Sequence, residues 1–368
     1  MNDQAFEIFL VATPGLEAPL AAEARDVGWQ AEIQPGGVVI HGGWRDVWRA
    51  NLMLRGATRV LARVGSFRAL HLAQLDKRAR KFPWDQVLRP DLPVKVETAC
   101  RASRIYHAGA ATQRIERAIA EELGAPVAAD AGIVVKARIE DDLVTISLDT
   151  TGESLHRRGY KQAVAKAPMR ETMAAMFLRE MGYDGTQPVL DPMCGSGTFV
   201  IEAAEIAAGL APGRSRGFAF ENLSSFDPAA WQAMRATVTP RTPPLRFFGS
   251  DRDAGAIRMS VANAERAGVA GFTRFDCCPV TDLQRPDGPP GIVIVNPPYG
   301  ARIGNKGPLF GLHAAMGEAF RSRLSGWRVG IVTGEAGLAR ATGLPFLPPG
   351  PIVAHGGLKV RLWPTGPL

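Results

Sequence analysis

Cysteine is scarce in this chain: four residues, at 100, 194, 277 and 278, with no Cys-x-x-Cys pair among them. That spacing argues against a disulfide scaffold and against the common zinc modules, so no metal centre is expected. Long hydrophobic runs are missing too. No stretch of about 18 apolar residues exists to cross a bilayer, which excludes a membrane-spanning helix and leaves no membrane partner to expect. The opening Met1-Asn-Asp-Gln-Ala-Phe-Glu7 carries acids where a secretory leader needs a basic region and an apolar stretch. A cytoplasmic protein is expected. Repeats and low-complexity tracts are absent as well, so the organisation has to be read from periodicity.

What is present is globular: 368 residues, 46% hydrophobic and 21% charged. At roughly 150 residues per domain that length makes two or three compact units. The net charge of +7 permits a polyanionic partner without requiring one. Its distribution says more. Residues 45–114 hold 15 Lys+Arg against 5 Asp+Glu, interleaved with Phe67, His71, Phe82, Trp84 and Tyr106. Such a stretch is either a solvated basic face or a surface for nucleic acid.

Periodicity divides the chain in two. Residues 6–11 read as a strand, 16–27 as a helix, 32–33 and 38–40 as short strands around Pro35-Gly36-Gly37, and 44–54 as a helix. A strand at 60–64 and a basic helix at 70–82, stopped by Pro83, follow. A strand at 94–98, a helix at 108–123 and a hairpin of 133–139 with 143–148, turned at Asp141-Asp142, complete a small α+β region. Beyond Tyr160 short, wholly apolar strands alternate with amphipathic helices, which is how a parallel sheet covered by helices is written. Strands are expected at 189–190, 247–248, 272–275, 292–295 and 329–332, helices at 169–181, 198–208, 254–267 and 309–324. A closing hairpin is expected from 352–354 and 358–362. The connection between the two regions falls near 151–165.

Two segments carry chemistry. In Leu190-Asp191-Pro192-Met193-Cys194-Gly195-Ser196-Gly197-Thr198, two glycines let the backbone pass close to a ligand. The helix that follows offers free N–H groups to an anion, and Asp191 offers a carboxylate to a cation such as an ammonium or sulfonium. A dinucleotide fold needs a third glycine where Val200 stands, and Pro192 intrudes, which disfavours a dehydrogenase. Further on, Phe248-Gly249-Ser250-Asp251-Arg252-Asp253 ends another strand with an acid, placed either to grip ribose hydroxyls or to cap the next helix.

The second segment is Ile292-Val-Ile-Val295 running into Asn296-Pro297-Pro298-Tyr299-Gly300. Two prolines stiffen this turn and donate no hydrogen bonds. The Asn296 amide oxygen and the Pro297 carbonyl suit the two hydrogens of a planar exocyclic amine, and Tyr299 suits the ring that bears it. Holding both N–H bonds aims the nitrogen at an electrophile.

Together these residues resemble the class I S-adenosylmethionine-dependent methyltransferases that act on exocyclic amines. The likeness is greatest to the THUMP-containing RNA guanine-N2 methyltransferases, and within them to the N-terminal half of RlmL-type bacterial 23S rRNA methyltransferases. It covers almost the whole chain, resting on Gly36-Gly37-Val38, His156-Arg157-Arg158-Gly159-Tyr160, Ala167-Pro168 with Glu171-Thr172, Leu190–Thr198, Gly249-Ser250-Asp251 and Asn296–Gly300.

The resemblance implies an α/β protein: a ferredoxin-like region over 1–65, a THUMP RNA-binding domain over 66–155 and a Rossmann-like seven-stranded methyltransferase domain over 156–368. It implies S-adenosyl-L-methionine as cofactor, held by Asp191, Pro192, Cys194, Gly195, Gly197 and Thr198 at its methionine end and by Asp251 at the ribose, with Tyr160 and Thr172 beside the pocket. Asn296, Pro297, Pro298 and Tyr299 would hold the target base. One departure stands out: Pro279 occupies the place of an acid that contacts adenine in such families, leaving that contact to Asp276 or Asp282. Arg78, Lys81, Arg101, Arg104, Arg157, Arg158 and Lys161 are expected on RNA phosphates. Guanine N2 is hidden in a helix, so the expected substrate is 23S rRNA in a partly unfolded assembly intermediate. The competing readings are a tRNA guanine-N2 methyltransferase, a DNA adenine-N6 methyltransferase and a non-catalytic RNA-binding assembly factor.

Overall fold

The structure is a computed structural model, and it describes residues 5–162, 169–244, 246–299 and 307–368. Of the sequence signals above, Ala167, Pro168 and Gly300 lie outside the described residues. In chain order the first elements are β1 (Phe6–Val11), α1 (Glu17–Asp26), β2 (Glu32–Gln34), β3 (Gly37–Gly42), α2 (Trp44–Met53), β4 (Arg59–Arg68), α3 (Leu72–Arg80), β5 (Val94–Arg101), α4 (Ala108–Glu122), β6 (Ile133–Glu140) and β7 (Leu143–Asp149). They are followed by α5 (Glu171–Glu180), β8 (Val189–Asp191), α6 (Thr198–Ala207), α7 (Pro228–Ala236), β9 (Phe247–Asp251), α8 (Ala254–Ala267) and β10 (Thr273–Cys277). The last elements are β11 (Ile292–Val295), α9 (Gly307–Arg323), β12 (Arg328–Thr333), α10 (Ala336–Ala341), β13 (Val353–His355) and β14 (Leu358–Pro367). Two compact units result. The first comprises residues 1–11, 21–155 and 216–237, the second 12–20, 156–215 and 238–368.

In the first unit one sheet runs in the order β2-β3-β1-β4-β7-β6-β5. Only the β5–β6 pair is parallel, and the rest alternate in direction. The β6–β7 hairpin turns on Asp141 and Asp142, whose φ angles of 50° and 61° are both left-handed. A two-residue turn that matches the twist of its strands requires this. The residue 65/66 division falls inside β4, which pairs with β1 on one side and β7 on the other. Its register with β7 shifts between Arg63 and Gly65. A Cβ on Gly65 would stand 2.7 Å from the Phe82 ring, so the close approach there needs glycine.

Residues 216–237 pack with this unit, although the sequence placed them in the methyltransferase region. Aromatic side chains explain the difference. Phe220 lies 5.1 Å from Phe218, 5.1 Å from Trp231 and 6.1 Å from Trp48, centroid to centroid. Trp48, Phe220 and Trp231 are buried. Each such side chain contributes on the order of 2 kcal/mol from burial alone.

The second unit holds a sheet in the order β10-β9-β8-β11-β12-β14-β13. The five strands from β10 to β12 are parallel, whereas β14 and β13 run antiparallel at the edge. Every residue of β8 and β11 is buried, which is why both read as unbroken apolar runs. Strand order reverses between β8 and β11. A sheet of this kind receives its ligand at the carboxyl ends of the strands that flank such a reversal.

Candidate active site

Both chemical segments leave the sheet at that reversal. Val293 pairs with Leu190, and Asp191 with Gly249. Counting onward from both pairs brings Asn296 and Asp251 level with Met193, one on either side of the glycine-rich turn. The turn itself is built from backbone. Gly195 and Gly197 take φ of 54° and 83°. A Cβ on Gly197 would sit 3.1 Å from Ser260 Oγ and 3.2 Å from Ile201 Cδ1, so this position is closed to a side chain twice over.

Helix α8 braces the turn from behind. Ser260 Oγ donates to the Gly195 carbonyl at 2.9 Å, and Asn263 Nδ2 to the Ser196 carbonyl at 3.0 Å. Both residues are fully buried. Sequence reasoning missed them, although two polar residues three apart on the Ala256/Ala264/Ala267 face of an otherwise apolar stripe were a visible signal. Neighbouring strand ends add to the brace: the Cys194 N–H donates to the Ser250 carbonyl at 2.9 Å and the Cys278 N–H to the Asp251 carbonyl at 3.1 Å.

Two carboxylates face different conditions. Asp251 accepts from the Gly195 N–H and the Asp253 N–H, each at 3.0 Å, one on each oxygen. It remains partly accessible, with lone pairs left for hydroxyl donors. Asp191 is buried and accepts the Met193 N–H at 3.1 Å. Burial pushes its carboxyl up to about 8 against that hydrogen bond, and the nearby Asp251 carboxylate adds to the rise. An ammonium placed beside a buried carboxyl of this kind favours its charged form.

The remaining expected residues fall into place unequally. Tyr160 and Thr172 are buried, and among the described residues neither hydroxyl has a hydrogen-bond partner. Pro192 and Cys194 are buried in the turn, where desolvation raises the Cys194 thiol well above its usual range and keeps it protonated. Asn296 Oδ1 is buried and unpartnered among the described residues. Pro297 is buried, Pro298 exposed and Tyr299 half-buried. Burial pushes the Tyr299 phenol up to about 12, so it stays a neutral ring at pH 7. Asp276 lies inside β10 rather than beyond its end, and its half-exposed carboxylate pairs with Arg274 at 3.0 Å.

Arg78, Lys81, Arg101, Arg104 and Arg157 are exposed, as phosphate contacts need to be. Arg158 and Lys161 are not. Arg158 is 2% exposed and meets the fully buried Glu202 at 3.4 Å. The Lys161 ammonium, with a side chain 9% exposed, is spent on Glu171, Thr198 and the Met169 carbonyl. The expectation that these two bind RNA is therefore corrected: a basic residue bound inward by a buried carboxylate cannot reach a phosphate.

The site suits an adenosyl sulfonium carrying an amino-acid tail. A glycine cradle closed to side chains, a buried acid that a cation would stabilise in its charged form, an accessible acid for vicinal hydroxyls and buried hydroxyls unpartnered among the described residues are all present. Comparison with known proteins gives the same answer. Residues 158–344 match the RMKL-like methyltransferase domain, and residues 7–61 match the RlmL ferredoxin-like domain. The chain is 30% identical over 367 residues to slr0064 of Synechocystis sp., named as a candidate RNA methyltransferase, covering 96% of this chain and 95% of that one. It is 33% identical over 369 residues to the ribosomal RNA large subunit methyltransferase K/L of Syntrophotalea carbinolica, covering 93% of this chain but only about half, 51%, of that longer protein. The crystal structure of SMU.472 complexed with SAH superposes with a TM-score of 0.87 at 28% identity, covering 100% of this chain and 99% of the other. By its sheet, its turn and these matches, the chain belongs to the RMKL-like methyltransferase family, which draws its methyl group from S-adenosylmethionine.

Proposed function

We propose that the chain methylates the exocyclic N2 amine of a guanine in 23S rRNA. The observation that carries this reading is Asn296 Oδ1, a buried acceptor at the end of β11 without a partner among the described residues. An amide oxygen left so in a folded protein costs about 1–3 kcal/mol, which a donor arriving with the substrate offsets. RNA as the substrate is supported by two of the relatives, which are named for RNA and for large-subunit ribosomal RNA.

S-adenosylmethionine supplies an electrophilic methyl group on its sulfonium. The chain's own residues do the rest. Asp191 takes the ammonium, and Asp251 the ribose hydroxyls. Asn296 Oδ1 and the Pro297 carbonyl each accept one N–H of the amine. With both hydrogens fixed, the nitrogen lone pair is aimed at the methyl group and conjugation with the ring is partly lost. Tyr299 stacks on the base. No strong base is required, since the nitrogen becomes acidic once alkylated. Pro297 and Pro298 hold the corner rigid, so its acceptors are positioned before substrate arrives.

The test is methyl transfer from labelled S-adenosylmethionine to total RNA from a strain lacking the gene, followed by mapping of the labelled nucleotide. Label at N2 of one guanine in 23S rRNA is expected, with naked or partly assembled RNA methylated faster than intact subunits. Label confined to tRNA, or found at adenine N6, overturns the proposed target.

A further inference from the structure

In the second unit the Lys161 ammonium is fully engaged within the fold. Its three N–H donors have three partners: the Met169 carbonyl at 2.9 Å, Thr198 Oγ1 at 2.8 Å and Glu171 Oε1 at 3.4 Å. The segment leading into it is fastened at two points. Arg266 Nε of α8 donates to the Tyr160 carbonyl at 2.7 Å, and Arg158 pairs with Glu202 of α6. Lys161 therefore cannot swing out, and with no donor to spare it does not bind a ligand directly.

Its position is electrostatically unusual. Thr198 is the first residue of α6, so the ammonium sits at the positive end of that helix, where a cation is disfavoured. Burial lowers the lysine and raises the Glu171 carboxyl, while Glu171 and Glu202 favour the lysine's charged form. An incoming anion would complete the balance. The Thr198 hydroxyl is the group left to receive it. Its oxygen accepts from Lys161, which leaves its hydrogen to donate, and Thr198 is 5% exposed. The carbonyls of the preceding turn each already accept a hydrogen bond, Cys194 from the Gly197 N–H, Gly195 from Ser260 and Ser196 from Asn263. Thr172, next in sequence to Glu171, also has a buried hydroxyl without a partner among the described residues. Buried hydroxyls in this state call for an acceptor.

We propose that Lys161 is a positioning residue that, by occupying the Thr198 oxygen, turns the Thr198 hydroxyl into a fixed donor for the carboxylate of the methyl donor's amino-acid tail. Asp191 and Thr198 then form a matched pair, one for each charge of that tail. This rests on the family's use of S-adenosylmethionine and not on which RNA is modified, so it stands or falls apart from the target proposed above.

The experiment is calorimetric binding to the full-length protein, without RNA, of S-adenosylhomocysteine and of 5′-methylthioadenosine, which keeps the adenosine and thioether but lacks the charged tail. Lys161→Met should weaken S-adenosylhomocysteine about tenfold while changing 5′-methylthioadenosine less than about twofold, and Lys161→Arg should recover part of the loss. Thr198→Val, which keeps the shape of the side chain, should show the same selective loss and carries the test alone if Lys161→Met fails to fold. Undiminished preference for S-adenosylhomocysteine in Thr198→Val, or equal loss of both ligands in the two variants, overturns the proposal.

Discussion

At the scale of single residues, the proposed reading divides the work between Asn296 and Asp191, one for each ligand, and this division is measurable. Asn296→Ala should lower methyl transfer at least about 100-fold while leaving S-adenosylhomocysteine affinity within about twofold, read by single-turnover assay and calorimetry. Comparable loss of both would make Asn296 structural. Asp191 gives a pH signature. Its carboxyl ionises near 8 in the folded, ligand-free protein and near 3.8 when unfolded, so the folded state holds the extra proton between those values. Its contribution to stability is full below about pH 4 and is lost as the pH rises to about 8, at up to about 1.4 kcal/mol per unit. Asp191→Asn should flatten that decline in denaturant titrations of the ligand-free protein, and should weaken S-adenosylhomocysteine. As candidates they were legible because turn-forming and acidic residues follow short, wholly apolar strands: Asp191, Gly195, Gly197, Asp251 and Asn296 announced themselves by position. Arg158 and Lys161 did not. Sequence shows a charge but not its burial, and their carboxylate partners, Glu202 and Glu171, are 44 and 10 positions away.

At the scale of elements, parallel strands β8 and β11 and the β6–β7 hairpin stand where apolar runs and the Asp141-Asp142 pair placed them. Strand β4 was cut short, since only its first half alternates cleanly and its continuation past Gly65 depends on pairing with β7 some 80 residues later. Helix α7 went unread. Its N-terminus carried a plain signal, Asp227 capping two N–H groups ahead of Pro228, but its buried face amounts to Trp231 alone. That tryptophan is what holds the element. Trp231→Ala should destabilise the first unit by about 3–5 kcal/mol, seen by hydrogen exchange as lost protection in β4 and β7 with β8 and β11 unchanged. Uniform loss across both sheets would mean that the units unfold as one.

At the scale of the whole molecule, the proposed function turns the sequence's net charge of +7 and its basic stretch into an expected salt-dependent affinity for RNA. Binding measured at rising salt should fall as a straight line on logarithmic axes. The double variant Arg78→Glu with Lys81→Glu should weaken binding and make that line shallower by about one to two contacts, whereas Arg158 and Lys161 contribute no slope because they are spoken for inside the fold. The change in sequence grammar near Tyr160 located the passage from the first stretch of chain to the second. It did not reveal that the chain goes back, because a return visit leaves no mark in local periodicity, only a handful of aromatic residues whose partners lie elsewhere.

That return has a practical consequence. Chain passes out of the first unit at Leu155, comes home at Arg216 and departs again at Thr237. No single nick can liberate it, and a gene fragment ended at Leu155 would forfeit Phe220 and Trp231, baring Trp48 to water. The first unit is not a cassette to be clipped off or grafted on. It is finished only when the catalytic half has lent it twenty-odd residues.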